Sequence, residues 1–125
     1  MSEVTTFGSV SGLEPYAIWQ GATARAVHGE RLTMAVVDLE PDQEVPEHHH
    51  DNEQLGVVLK GHVTMVIAGA SRRLGVGDTY VITSNVVHSA STGPDGGTVV
   101  DVFSPVRADW EGAPRLEPRP GAWPG

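Results

Sequence analysis

The chain has 125 residues, enough for one compact domain with its own core and too few for two comfortable ones. Hydrophobic residues make up 39% and charged residues 19%, an ordinary globular balance, and 16 acidic against 8 basic residues give a net charge of −8. That charge argues against nucleic acid or an anionic membrane as partner. The lack of cysteine excludes disulfides and thiolate metal sites.

The start, "MSEVTTFGSV", lacks the basic and apolar stretches of a signal peptide, and no apolar run approaches the length of a membrane span. A cytoplasmic protein is the expectation. "YAIWQ" (Tyr16 to Gln20) and "TARAVHG" (Thr23 to Gly29) read as short strands, and "RLTMAVVDLE" (Arg31 to Glu40) as a longer one, stopped by the turn "PDQEVP". "QLGVVLKG" and "HVTMVIAG" read as a hairpin turning at Lys60 and Gly61, with Val63, Met65 and Ile67 on one face of the second arm. "GVGDTYVI" turns into a further strand, and "VVHSAST" leads through the loop "GPDGG" into "TVVDVFS". No segment has helical periodicity, so the fold class is all-β, a sandwich or barrel in a single domain. Beyond Ser104 the chain is rich in Pro and Gly, which predicts polyproline-like or disordered chain for its last dozen residues. Trp110 and Trp123 run against that expectation, because an unstructured tail gains nothing from tryptophan, and packing of one or both on the barrel or on a second subunit is the alternative. His28 reads as a surface turn residue and His62 as exposed, while Tyr16 and Trp19 suit core or dimer packing, or a barrel mouth.

The stretch "PEHHHDNEQLGVVLKG" holds three of the six histidines in a row. In a strand, His48 and His50 share a face and His49 takes the other. Two imidazoles so placed can converge on one divalent ion. Asp51, Asn52, Glu53 and Gln54 offer oxygen donors for a third position, and His88, in "SNVVHSA", offers a fourth. Each feature alone has a plain reading: a His-rich solvated turn, and a strand histidine satisfied by hydrogen bonds.

Together these residues resemble the cupin family. His48, His50 and the closing Gly61 fit its first motif, with Gln54 where the family usually has a metal-binding glutamate and Glu53 one place off. A subset of small bacterial cupins has H-x-H-x-x-E-Q and uses the glutamine. The second motif appears as "GDTYVITSNVVH", Gly77 to His88; Thr83, Ser84 and Asn85 replace its usual P-x-G turn and its trailing Asn is missing. The resemblance implies a jelly-roll β-barrel in which His48, His50, Gln54 and His88 ligate one divalent transition metal, with zinc, nickel, iron and manganese all open, and His49 points away. On this reading residues 1–28 are an N-terminal arm of strands, 29–105 the barrel core and 106–125 a Pro/Gly-rich extension, and a homodimer is expected.

Asp101 sits between Val100 and Val102, sharing parity with Val99 and Phe103. A buried carboxylate without a partner is expensive, so it either meets solvent, pairs with an arginine, or lies near the metal as an acid or base. Arg107 is suited to holding a carboxylate by two parallel hydrogen bonds. The string "VVDVFSPVRADW" resembles the ending of KdgF-type cupins, which open the ring of 4,5-unsaturated uronates. Carried over, that resemblance implies proton transfer by Asp101, an apolar wall from Phe103, a uronate clamp in Arg107 and a small carboxylate sugar as substrate. The expectation is a non-redox isomerase or lyase-like metalloenzyme. A non-haem iron oxygenase and a non-catalytic module binding a small acid remain open.

Overall fold

A computed structural model describes residues 4–124. Ten strands run β1 (Tyr16–Trp19), β2 (Ala22–His28), β3 (Thr33–Leu39), β4 (Glu44–His48), β5 (Glu53–Gly61), β6 (Val63–Ile67), β7 (Ala70–Leu74), β8 (Thr79–Ile82), β9 (His88–Ser91) and β10 (Gly97–Ser104). They form a six-stranded sheet in the order β1-β2-β3-β10-β5-β8 and a four-stranded sheet in the order β4-β9-β6-β7, all paired antiparallel. The inward residues of both sheets make one core, in which Phe103, Ile82, Val58 and Val63 are the bulkiest hydrophobic side chains that are fully buried. This is an all-β double-sheet jelly roll. No helix among the described residues is long and apolar enough to cross a membrane.

Alternation gives the strands their faces. On β10, Val99, Asp101 and Phe103 point inward and are buried. On β6, Val63 and Met65 are buried and Ile67 is half-buried, the face read from the sequence. β7 stands where the sequence predicted no strand, and β4 begins inside the segment read as the turn "PDQEVP" and stops at His48 instead of running on through His50. β4 carries Pro46 and two glutamates, and β7 carries Arg72 and Arg73; both lie at edges of the smaller sheet, where polar residues and proline are tolerated.

The hairpin expected between β5 and β6 does not form. The two strands lie in different sheets, and Gly61 marks the crossing. Its φ of +67° and the approach of the Gly96 carbonyl leave no room for a side chain. The true hairpin is β6–β7, closed by Ala68 (φ 50°) and Gly69 (φ 81°), the left-handed pair of a type I′ turn.

In the C-terminal stretch one of the two tryptophans packs on the barrel. A short 3-10 turn at Ala108–Gly112 buries Trp110 against Phe103 and Tyr16, with ring centroids 5.2 and 6.0 Å apart. Arg115 bridges to Tyr16, and Pro114 and Leu116 exchange backbone hydrogen bonds with β1 and its lead-in. Further on, the Trp123 carbonyl accepts from Arg25 at 2.5 Å and the Ala122 carbonyl from Lys60. Arg25 faces outward from β2, yet this strap and its ion pair with Asp38 leave it 3% exposed. Composition predicted loose chain for the last dozen residues because it counts Pro and Gly; the outward Arg25 and Lys60 tie that stretch down. His28 is likewise no turn residue. It ends β2, half-buried between Tyr16 and Thr33.

Candidate metal centre

His48 ends β4, His88 begins β9 directly opposite it, and His50 lies in the turn that leads to β5. Strand parity therefore does not bring His50 to the site. The turn does, held by the Asn85 N–H donating to the His50 carbonyl at 2.8 Å. One ring nitrogen from each histidine lies within 4.8 Å of the others, while His49 is exposed and outside the group.

All three rings are anchored the same way. His48 Nδ1 meets the Pro46 carbonyl at 2.8 Å, His50 Nδ1 the Asn52 carbonyl at 2.9 Å, and His88 Nδ1 the Val86 carbonyl at 2.8 Å. A carbonyl only accepts, so each Nδ1 carries the proton and each Nε2 keeps its lone pair. Burial lowers the pKa of His50, with Arg107 adding to it, and lowers that of His88 to about 4, which favours neutral rings. Gln54, on β5 and 6% exposed, brings its Oε1 to 3.2 Å from His50 Nε2. With the oxygen end on the histidine side, the nitrogen end is the one left for the Asp101 carboxyl, whose pKa Gln54 holds down. Three imidazole lone pairs and an amide oxygen thus face one another without a proton between them. That donor set fits a divalent transition ion, and carbonyl-anchored Nδ1 atoms are the usual support for such ligands. Of the other oxygen donors in the run, Asp51 and Glu53 are exposed. Asn52 is turned away and donates to the Pro105 carbonyl at 2.5 Å, tying the turn to the segment before Arg107.

The cluster lies on a cavity of about 350 Å³ whose lining includes His48, His88, Gln54, Asp101, Phe103 and Arg107. Trp19, half exposed, also lines it. Asp101 is 5% exposed, and burial pushes its carboxyl up to about 6, against hydrogen bonds from Tyr80 and Gln54 that favour the ionised form. Tyr80 Oη donates to Asp101 Oδ1 at 2.5 Å. Burial, then the Asp101 charge, raises the Tyr80 pKa well above its ordinary value, so the phenol keeps its proton. Sequence reasoning missed Tyr80, which reads as an ordinary strand aromatic. The signal that could have found it is Gly56, a glycine inside a strand, where a Cβ would overlap the tyrosine ring.

Phe103 is 2% exposed and stacks edge-on to His50. Arg107 lies over Phe103 and Trp110, its guanidinium carbon 4.7 and 4.5 Å from the ring centres. Its Nε and Nη2 both donate to Asp109, at 3.0 and 2.9 Å, and hold that carboxyl below its usual range. Six of the seven site residues expected from the sequence thus line one cavity, and His50 joins them through the histidine cluster; Tyr80 lines the same cavity and Asp109 pairs with Arg107.

Comparisons with known proteins agree with this arrangement. A segment 35% identical over 65 residues occurs in the pectin degradation protein KdgF of Dickeya dadantii (strain 3937), covering 52% of this chain and 59% of that relative. The chain thus matches less than two thirds of that protein's length. The structure of KdgF from Halomonas sp. superposes with a TM-score of 0.77 at 26% identity, over 85% of this chain and 98% of that one. An RmlC-like cupin from Shewanella frigidimarina superposes at 0.81 with 25% identity, over 88% and 99%. The cupin 2 profile, a cupin domain, matches residues 35–103, from β3 to β10 and over half of the chain. With two stacked antiparallel sheets and a histidine cluster between them, this chain belongs to the cupin family.

Proposed function

We propose that the protein is a metal-dependent, non-redox enzyme that opens the ring of a small sugar acid, a 4,5-unsaturated uronate. The observation that carries this reading is the buried carboxylate of Asp101 and the stacked guanidinium of Arg107 on one cavity with three converging imidazoles. Similarity to two proteins named KdgF, one of them described as a pectin degradation protein, supports the substrate class. His48, His50, Gln54 and His88 would hold one divalent ion. When bound, that ion supplies a positive charge that polarises and orients substrate oxygens without changing oxidation state.

Opening such a ring breaks the bond between the anomeric carbon and the ring oxygen. The anomeric hydroxyl gives up a proton as it becomes an aldehyde. The ring oxygen leaves as an enolate, which takes that proton up at carbon and becomes a ketone, so no atom is gained or lost overall. Asp101 is the group placed to move that proton, held by Tyr80 and Gln54 at the cavity wall. Arg107 binds the uronate carboxylate. Its present partner, Asp109, is 62% exposed in its side chain and can yield to a substrate anion. Phe103, Met65 and Val37 keep the sugar ring out of bulk water.

We place the protein in the cytoplasm, as a homodimer. The outer face of the larger sheet carries an uncharged row, Val27–Met34–Val102–Leu55–Val81, in register across five strands. Four of these are between 42% and 55% exposed. Two copies that each carry −8 meet with least repulsion at such a face, and a second copy is its fitting occupant.

The test is turnover of a 4,5-unsaturated uronate by purified, metal-analysed protein, read as loss of alkene absorbance. Wild type consumes it, and Asp101→Asn and His88→Ala each lose about 100-fold or more. Stoichiometric metal with no turnover would sink the substrate assignment, and oxygen uptake would point instead to an iron oxygenase.

A further inference from the structure

We infer that Tyr80, reaching across Gly56, is a positioning residue for the metal site: through Asp101 it fixes which end of the Gln54 amide faces the histidines. This rests on the metal-site reading above and on no particular substrate. An amide side chain is nearly symmetrical in shape, so its two ends are told apart only by their partners. At Gln54 the oxygen end meets His50 Nε2 at 3.2 Å, which leaves the nitrogen end for Asp101 on the same cavity wall. Asp101 can hold that nitrogen only while its own carboxyl is fixed. Its strand neighbours, Ala35 on β3 and Gly56 on β5, have no side-chain group to fix it. The fixing group comes from one strand further away. Tyr80 on β8 pairs with Gly56, which pairs with Asp101, and the tyrosine lies over the glycine to donate its hydroxyl proton to Oδ1 at 2.5 Å. Gly56 is the window for this reach, since any Cβ there would displace the ring. Tyrosine, aspartate and glutamine thus form a relay of donors and acceptors that ends on the metal site, in the manner of partners that orient ligands from behind.

The experiment uses Co²⁺ as the probe, with affinity from chelator competition and the visible ligand-field spectrum as a second readout. Tyr80→Phe keeps the ring and removes only the hydroxyl. It is expected to weaken Co²⁺ by about 10–100-fold and to shift the spectrum. Gly56→Ala, which pushes the ring aside, is expected to do the same. In a Gln54→Ala background the effect of Tyr80→Phe is expected to vanish, because it acts through that amide. Unchanged affinity and spectrum in folded Tyr80→Phe overturn the inference, as does an equal loss with and without Gln54. A wild type that binds no Co²⁺ overturns the metal-site reading and this inference with it. A wild type that binds Co²⁺ but turns over no uronate leaves the inference standing and removes only the substrate.

Discussion

An imidazole with both nitrogens engaged behaves differently from one with a nitrogen held free, and the chain contains both kinds. His48, His50 and His88 each spend Nδ1 on a carbonyl and keep Nε2 for the cluster. His28 is closed on both sides. Arg115 donates to Tyr16 Oη at 2.8 Å, Tyr16 Oη meets His28 Nε2 at 3.2 Å, and His28 Nδ1 meets Thr33 Oγ1 at 2.8 Å. Thr33 in turn accepts the Arg107 N–H at 2.9 Å, so the run ends on the backbone of a proposed substrate-binding residue. Burial lowers the His28 pKa; nearby Glu111 opposes this and Arg115 adds to it. The unfolded chain therefore takes up the proton first as pH falls. Stability from this group is intact above about 6.5 and is lost as pH falls from there toward the lower folded value. The urea midpoint of wild type should drop more between pH 7.5 and 5.5 than that of His28→Gln. Equal drops would show that His28 does not carry the proton linkage.

At the scale of elements, the C-terminal segment acts as part of the barrel rather than as an appendage. Trp110 is 5% exposed, plugging the end of the core beside Phe103 and supporting the guanidinium of Arg107. Trp110→Ala should cost about 3–5 kcal/mol of unfolding free energy by urea titration, well above the effect of a surface substitution. A cost under about 1 kcal/mol would mean that the segment is not docked in solution. Strands with a buried face, such as β3, β6 and β10, were legible because apolar side chains recur at every second residue. β7 and the bounds of β4 were not, because an edge strand need not alternate and theirs are mostly polar. Gly61 was legible as a break but not as a change of sheet, since glycine reports permissive backbone and not destination. The convergence of His48, His50 and His88 could be read from resemblance, but the strand spacing that also suggested it is not what brings His50 in. The carbonyls behind them could not, because a backbone acceptor leaves no mark in the sequence. Tyr80 escaped for a related reason: its partner is two strands away, and only the glycine between them hints at the contact.

For the whole molecule, the two halves of the larger sheet's outer face are covered differently. The C-terminal strap lies over Arg25 and Lys60, while the apolar row from Val27 to Val81 stays open. If a second copy covers it, Met34→Glu should convert the dimer to monomer in analytical ultracentrifugation, with the histidine cluster intact on the opposite side of the sheet. A wild type that sediments as a monomer at tens of micromolar would remove this contact.

β10 separates β3 from β5 in the finished sheet, yet it is synthesised after both. Until it inserts, the larger sheet exists as two pieces, β1-β2-β3 and β5-β8, each with an unpaired edge. Closing it requires contacts between segments far apart in sequence, the kind of step that slows folding and leaves open edges prone to sticking. A nascent chain that has not yet emitted residue 97 already holds all three clustered histidines but lacks Asp101 and Phe103. Sheet closure and completion of the cavity are therefore one kinetic event, and a chain that stalls before it has ligands but no site.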